Sequence, residues 1–182
     1  PIIDVTTALE YKKQIIKHIP KNYDFNPLLT IYLTDQTTVD TIKQAALDKS
    51  IIGAKLYPKG ATTNSSSGVT DIFKIYNTLA AMEKYDLPLL IHGEVTDYDI
   101  NIFDRETVFI SKILVKIRAE FPALKIILEH VTTKDGIDFI LANQTNELNI
   151  NTAATITPHH LLLNTNDLLA NGLKPHYYCL PI

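Results

Sequence analysis

The chain has 182 residues, 46% of them hydrophobic and 20% charged, and this composition is typical of one globular domain with its own hydrophobic core. The net charge of −3 and the scattered basic residues argue against a nucleic-acid partner, because phosphate binding requires clustered lysine and arginine. The single Cys179 excludes an internal disulfide. The sequence has no signal-peptide pattern and no apolar run of membrane length, so we expect a cytoplasmic protein with no membrane contact.

The predicted elements alternate between helices and strands along the chain. Apolar residues at helical spacing predict a first helix over TTALEYKKQIIKHI, which ends at Pro20. Strands are predicted at PLLTIYLT, IIGAKLY, PLLIH, KIILEH and NTAATIT, and the helices between them at TVDTIKQAALDK, TDIFKIYNTLAAMEKY, FDRETVFISKILVKIRAEF and TKDGIDFILANQ. The remainder, HHLLLNTNDLLANGLKPHYYCLPI, is predicted as loop with short helix. This alternation, with unbroken apolar strands, predicts a parallel sheet covered by helices.

The number of strands limits the choice of fold. Five strands do not close a TIM-type (β/α)8 barrel, which needs eight strands and about 250 residues. An open, flavodoxin-like sheet of five strands fits the length and is the alternative. The chain begins at Pro1 with a helix and ends in the apolar CLPI without a closing helix. We therefore interpret residues 1–182 as the central part of a single, larger α/β barrel domain, here incomplete with about five parallel strands.

Three of the predicted strands end in a side chain that can hold a metal. Lys55 follows IIGA, His92 follows LPLLI and His130 follows LKIILE, at nearly equal intervals. In a parallel α/β array all three would lie at the carboxyl edge of the sheet, where such folds carry their chemistry. Since neutral imidazole is the commonest zinc ligand, the three together indicate a metal-dependent hydrolase.

Each of these residues also has an alternative interpretation. A lysine at a strand end is often a partly exposed side chain, and each histidine alone fits an ordinary position at the rim. If Lys55 is functional, it is either a Schiff-base nucleophile, favoured where burial lowers the amine pKa, or a carbamylated lysine that bridges two metals.

Two glutamates and one loop lie close in sequence to Lys55, His92 and His130. Period-two alternation leads us to expect that Glu94 and Glu129 point to the opposite side of their strands from the histidines, in supporting positions or surface ion pairs. The loop over residues 61 to 68, ATTNSSSG, follows Lys55 and is rich in hydroxyl groups. It is either a solvated loop or a mobile lid that offers threonine side chains to a substrate.

A resemblance to a known family follows from five longer segments. They are GAKLYPKGATTNSSSGVTD, LPLLIHGEVTDYDINIFDRE, LKIILEHVTTKD, ATITPHHLLLN and PHYYCLPI. Together they resemble the bacterial, single-domain class II dihydroorotases of the amidohydrolase superfamily. In that family the barrel holds two zinc ions bridged by a carbamylated lysine. The resemblance assigns this lysine to Lys55 and the ligands of the second zinc ion to His92 and His130.

The resemblance also implies a reaction. In the whole enzyme it is the reversible cyclisation of N-carbamoyl-L-aspartate to L-dihydroorotate, a step of pyrimidine synthesis. Lys55 is then the catalytic residue of this chain, and the substrate-binding residues are Thr62, Thr63, His92 and Leu180, the last through its backbone. The expected partner is this small-molecule substrate, and the expected assembly is a homodimer.

Other functional residues of the family have no counterpart here. Its His-x-His pair, with the arginine and asparagine that follow, would lie before Pro1, and its catalytic aspartate, with a further substrate-binding histidine, after Ile182. We therefore expect this chain alone to be inactive. Two alternatives to the enzyme follow, namely an inactive fragment or scaffold that binds a partner through its open sheet edges, and a Schiff-base lyase that uses Lys55.

Overall fold

The structure is a computed structural model that describes residues 1–144 and 151–182. Its strands are β1 (Leu29–Tyr32), β2 (Ile51–Leu56), β3 (Leu89–Ile91), β4 (Ile126–Leu128) and β5 (Thr152–Ala154). Its α-helices are α1 (Val5–Lys17), α2 (Val39–Leu47), α3 (Tyr76–Lys84), α4 (Arg105–Phe109), α5 (Val115–Glu120), α6 (Lys134–Ala142), α7 (Pro158–Leu162) and α8 (Thr165–Leu169). Short 3-10 helices cover Ile72–Ile75, Ile102–Asp104 and Pro175–Tyr177. None of the helices in these ranges has the length and apolarity needed to cross a bilayer.

The strands form one parallel sheet in the order β1-β2-β3-β4-β5. A flavodoxin-like sheet has the order 2-1-3-4-5, with a reversal that puts helices on both faces, so that alternative is wrong. Sequential parallel neighbours joined by right-handed crossovers place the helices on one face. This is the arrangement of an α/β barrel, and the predicted incomplete barrel with five parallel strands is confirmed.

Alternation along the strands divides the sheet into two faces. The outer face belongs to the same hydrophobic core as the helices, and its buried side chains on the three central strands are Ala54, Leu56, Leu89, Ile91, Ile126 and Leu128. Burial of a large aliphatic side chain of this kind contributes about 1.5–3 kcal/mol. On the inner face the strand register aligns Lys55 with Leu90 and Leu90 with Ile127. Lys55 therefore lies on the inner face, close to the carboxyl edge of the sheet.

Side-chain caps define where the helices begin. Asp4 accepts the backbone N–H of Thr7 at 2.8 Å before α1, and Thr133 accepts that of Gly136 at 3.1 Å before α6. Each bond satisfies an N–H group that the first helical turn leaves without a partner. At its other end, α1 stops at Lys17, slightly before the proline that was expected to end it.

The long helix predicted over FDRETVFISKILVKIRAEF is interrupted by a π-helical turn. This turn, Ile110–Leu114, lies between α4 and α5. It follows Phe109, which packs close to Gly93 in the segment after β3. A Cβ atom on Gly93 would lie 2.6 Å from Leu128 Cδ1 and 3.5 Å from Phe109 Cδ1, so only glycine fits without displacement of neighbours. The end of β3 is therefore held tightly against the outer core.

Candidate functional site

Lys55 lies at the carboxyl end of β2, on the inner face, and is buried. Its amine forms an ion pair with the carboxylate of Glu129 and lies 4.8 Å from the centre of the Tyr57 ring. Burial lowers the pKa of the amine, against the opposing effect of Glu129. The buried site thus favours the neutral amine more than water does, and the neutral form is the one that reacts with carbonyl carbon or with carbon dioxide.

His92 follows β3 directly and is 1% exposed. Its backbone N–H donates to the carbonyl of Leu56 at 3.0 Å, which extends the pairing of β2 and β3 by one residue. Its Nε2 atom lies 2.5 Å from Oε2 of Glu94, a carboxylate that is also 1% exposed. The end of β3 therefore presents a buried histidine–carboxylate pair to the inner side of the sheet.

His130 reaches the same place through an unusual backbone conformation. It is the second residue after β4 and has a φ of 45°, in the left-handed region that few non-glycine residues adopt. Its backbone N–H donates to Oγ1 of Thr155 at 2.9 Å, and its ring packs edge-on against His92 with 4.9 Å between ring centres. The turn thus brings together two imidazole rings from neighbouring strands.

The imidazole of His130 is held in its neutral form. Burial, together with smaller contributions from the nearby His92 and Lys55, lowers the pKa of His130 to about 3. Its Nδ1 atom is buried and has no hydrogen-bond partner among the described residues. A buried nitrogen of this kind is costly unless something binds it.

The expected orientation of Glu94 and Glu129 is wrong, for two different reasons. Glu94 is two residues from His92, so alternation itself places both side chains on one side, as observed. Glu129 follows Ile127 by two residues and lies on the inner face, where it contacts Lys55. His130 is the residue that departs from alternation, because its left-handed φ turns the chain after the strand.

Glu106 is a buried side chain that the sequence did not single out. It lies in α4, is 2% exposed, and accepts from the backbone N–H of Thr132 at 3.2 Å and of Thr133 at 2.9 Å. It also accepts from the hydroxyl of Thr133 at 2.6 Å. Burial raises the pKa of Glu106, and these donors act against the increase. Glu106 therefore fastens the segment that follows His130, through contacts that no local sequence pattern reveals.

The loop threonines lie apart from this cluster. Thr62 and Thr63 are in the loop after β2, which folds around the buried hydroxyl of Ser65. The backbone N–H of Thr62 donates to that hydroxyl at 3.1 Å. Within the described residues, no hydrogen bond joins the two threonines to Lys55. Whether the loop acts as a lid stays a prediction.

Leu180 lies in the final segment of the chain, beside a histidine that anchors it. Nε2 of His160 donates to the carbonyl of Pro181 at 2.9 Å, and the Thr157 hydroxyl lies 2.6 Å from Nδ1 of the same ring. His160 is also close enough to His130 to lower its pKa. The structure thus holds the segment around Leu180 near the rim.

The donors at the rim fit a metal ion only in combination. In the described part of the chain, no three His, Cys, Asp or Glu side chains are grouped to hold a metal. His92 and His130 provide two nitrogen donors, and the Nδ1 of His130, which has no partner among the described residues, suits this use. A catalytic zinc ion has three protein ligands and a water, so one further protein donor is required. A carbamylated Lys55 would provide it, because the modification turns an amine into a carboxylate.

Comparisons with known proteins identify relatives of the chain. Over all 182 residues the chain is 55% identical to a dihydroorotase of Shewanella putrefaciens and 53% identical to one of Alcanivorax borkumensis, and it covers 52% of each. It is also similar to the crystal structure of dihydroorotase from Campylobacter jejuni, with 38% identity and a TM-score of 0.85 over 100% of this chain and 50% of that one. No protein-family profile matches the chain.

Two further solved structures extend the comparison. Dihydroorotase from Saccharomyces cerevisiae in complex with 5-fluoroorotic acid has 37% identity and a TM-score of 0.87, over 100% of this chain and 51% of that one. An L-hydantoinase from Arthrobacter aurescens, at 18% identity and a TM-score of 0.70, shares the fold over 95% of this chain and 42% of its own. The chain spans about half the length of the curated relatives it matches. Over that span it belongs to the dihydroorotase family, as the motifs predicted.

Proposed function

We propose that the whole protein that carries this chain is a zinc-dependent dihydroorotase, which cyclises N-carbamoyl-L-aspartate to L-dihydroorotate reversibly in pyrimidine synthesis. The observation that supports this most is the convergence of Lys55, His92 and His130 at one edge of the sheet, in a chain 55% identical to a dihydroorotase. We further propose a cytoplasmic homodimer, with residues 1–182 as the central part of one barrel domain.

In this proposal Lys55 provides the bridge between two metal ions. Burial lowers the pKa of its amine, which raises the fraction able to react with carbon dioxide at neutral pH. The resulting carbamate has two anionic oxygens, one for each ion, whereas an amine has one lone pair. When bound, zinc would activate water and polarise the amide carbonyl of the substrate.

The two histidines would act as nitrogen donors at the carboxyl edge of the sheet. The lowered pKa of His130 means that protons do not compete with a metal for this ring near neutral pH. His92 is fully enclosed and packs against Tyr57, with 5.7 Å between the ring centres. Tyr57 in turn stacks on Tyr32 at 5.4 Å. These aromatic rings cover the buried side of the site.

Substrate binding is proposed for the residues around the rim. Thr62 and Thr63 would offer hydroxyl groups from the loop after β2, and Leu180 would offer backbone groups from the segment that His160 anchors. His92 would contribute from the floor of the site. Together these groups suit a small cyclic amide that carries hydrogen-bonding oxygens on several sides.

The proposal is tested on the complete protein by measuring zinc content and dihydroorotase turnover. Lys55→Ala should lower zinc content and reduce turnover to background, and Lys55→Glu should retain part of the zinc because it keeps one carboxylate. Lys125→Ala is a matched control, since Lys125 lies at the opposite end of β4 and its amine pairs with Asp86 at 2.6 Å. Both readouts should be unchanged in that variant. Full turnover in Lys55→Ala would contradict the proposal.

The same buried lysine also suits the alternative of a Schiff-base lyase, because a lowered pKa favours a nucleophilic amine. Borohydride would then trap a carbonyl substrate on Lys55, and we expect no such adduct. For the 182-residue chain alone, the inactive-fragment interpretation predicts at most one zinc ion per chain and no turnover. Robust turnover by that chain would contradict the placement of essential residues outside it.

A further inference from the structure

We propose that Glu94 is a positioning residue that fixes the ring orientation and the tautomer of His92, so that Nδ1 is the ring nitrogen available to a metal. This inference rests on the proposed function, which makes His92 a metal ligand. The dihydroorotase motifs give Glu94 no role. The pairing with Glu94 would leave Nδ1, and not Nε2, of His92 free to bind a metal.

The geometry of the pair defines the tautomer. Oε2 of Glu94 lies 2.5 Å from Nε2 of His92, and both side chains are 1% exposed, so water does not compete for the bond. An ionised carboxylate only accepts hydrogen bonds, which requires the proton of a neutral imidazole to be on Nε2. The lone pair of that ring is then on Nδ1. The charge of the carboxylate also makes the imidazole a stronger donor to a metal.

The backbone between the two residues keeps this pair in place. Gly93 separates them, and its α-carbon packs so closely that an added Cβ would lie 2.6 Å from Leu128 Cδ1. The backbone from His92 to Glu94 is therefore packed against the outer core. Among the described residues His130 has no carboxylate partner, and its position depends on its backbone conformation instead.

The burial of Glu94 carries a free-energy cost. Its second oxygen, Oε1, is buried and has no hydrogen-bond partner among the described residues. A buried polar atom left in this state costs about 1–3 kcal/mol. The charge of Glu94 also raises the pKa of the buried Glu106, so two carboxylates disfavour each other. Among the described residues the hydrogen bond of Glu94 is the one to His92, which points to a use in function.

The matched pair of variants is Glu94→Gln and Glu94→Met in the complete protein. Glutamine keeps an oxygen that can accept from Nε2–H, so the tautomer should persist and zinc affinity should fall by a few-fold. Methionine has a similar length and no such acceptor, so zinc affinity should fall by about 10- to 100-fold, the usual loss when the partner of a metal-bound histidine is removed. Zinc affinity is measured by competition with a chelator.

The second readout is the tautomer in the metal-free protein, from the ¹⁵N signals of labelled histidine, with His92→Asn to assign the ring. We expect Nε2–H in the wild type and in Glu94→Gln, and a mixture with Nδ1–H in Glu94→Met. Glu106→Gln is the control, because Glu106 is as deeply buried but contacts threonines. It should leave the tautomer of His92 unchanged.

The outcomes separate the inference from the proposed function. If the wild type binds no zinc, the proposed function fails, and the tautomers still decide whether Glu94 positions His92. If the wild type binds zinc while Glu94→Met keeps the wild-type affinity and tautomer, the inference is overturned. If Glu94→Met does not fold, the tautomer of the metal-free wild type decides, and a proton on Nδ1 of His92 overturns the inference.

Discussion

The ends of β3 and β4 place a histidine at the same rim by different means. At β3, His92 continues the strand, is fully buried, and pairs with a carboxylate two residues away. At β4, His130 is turned inward by a left-handed backbone conformation, and its Nδ1 has no hydrogen-bond partner within residues 1–144 and 151–182. The first end depends on buried polar pairing and the second on local backbone geometry. Their tolerance to substitution should therefore differ.

The largest difference is expected in stability. In the metal-free protein, His92→Ala leaves Glu94 as a buried charge without its partner and opens a cavity, so the free energy of unfolding should fall by about 3–5 kcal/mol. His130→Asn places a residue that tolerates a positive φ at a partly exposed position and should cost less than about 1 kcal/mol. Urea denaturation followed by circular dichroism measures both.

A double variant sharpens this contrast. His92→Ala combined with Glu94→Met removes the buried charge together with its partner, so the double variant should be more stable than His92→Ala alone. Equal losses of stability for His92→Ala and His130→Asn would show that the two strand ends do not differ in the way described.

A smaller effect is expected from Glu106→Gln, and it should be confined to the β4 end. An amide has one acceptor oxygen where Glu106 offers two to the donors of Thr132 and Thr133. The loss should be about 1–3 kcal/mol of local stability. Hydrogen exchange should become faster at the Thr132 and Thr133 amides and stay unchanged at the amide of His92. Faster exchange at both strand ends would mean that they form one cooperative unit.

The pH dependence of stability should differ between the two strand ends as well. The pKa of His130 is about 3 in the folded state against 6.5 when exposed, so between these values the unfolded chain binds more protons. The contribution of the neutral ring is present above pH 6.5 and is lost as the pH falls toward 3. His130→Asn lacks this titration, so the metal-free variant should gain stability relative to the wild type between pH 7 and pH 5. Urea midpoints at several pH values test it, and a constant difference would contradict the lowered pKa.

Several features of this protein followed from its sequence alone. Unbroken apolar runs alternating with helical patterns predicted five parallel strands, because the side-chain periods of strand and helix differ. The position of Lys55, His92 and His130 at strand ends predicted their meeting at one edge, since parallel strands end together. The longer motifs identified the dihydroorotase family, which the relatives confirmed.

Only the tertiary structure decided which side chains pair at that edge. The strand order β1-β2-β3-β4-β5 excluded the open flavodoxin-like sheet, and the register put Glu129 beside Lys55. The left-handed backbone conformation of His130 and the hydrogen bonds of Glu106 to the following segment were not predictable from the sequence either. A sequence pattern reports the preference of each residue for a strand or a helix. A single backbone angle and a contact between distant residues depend instead on how the finished elements pack.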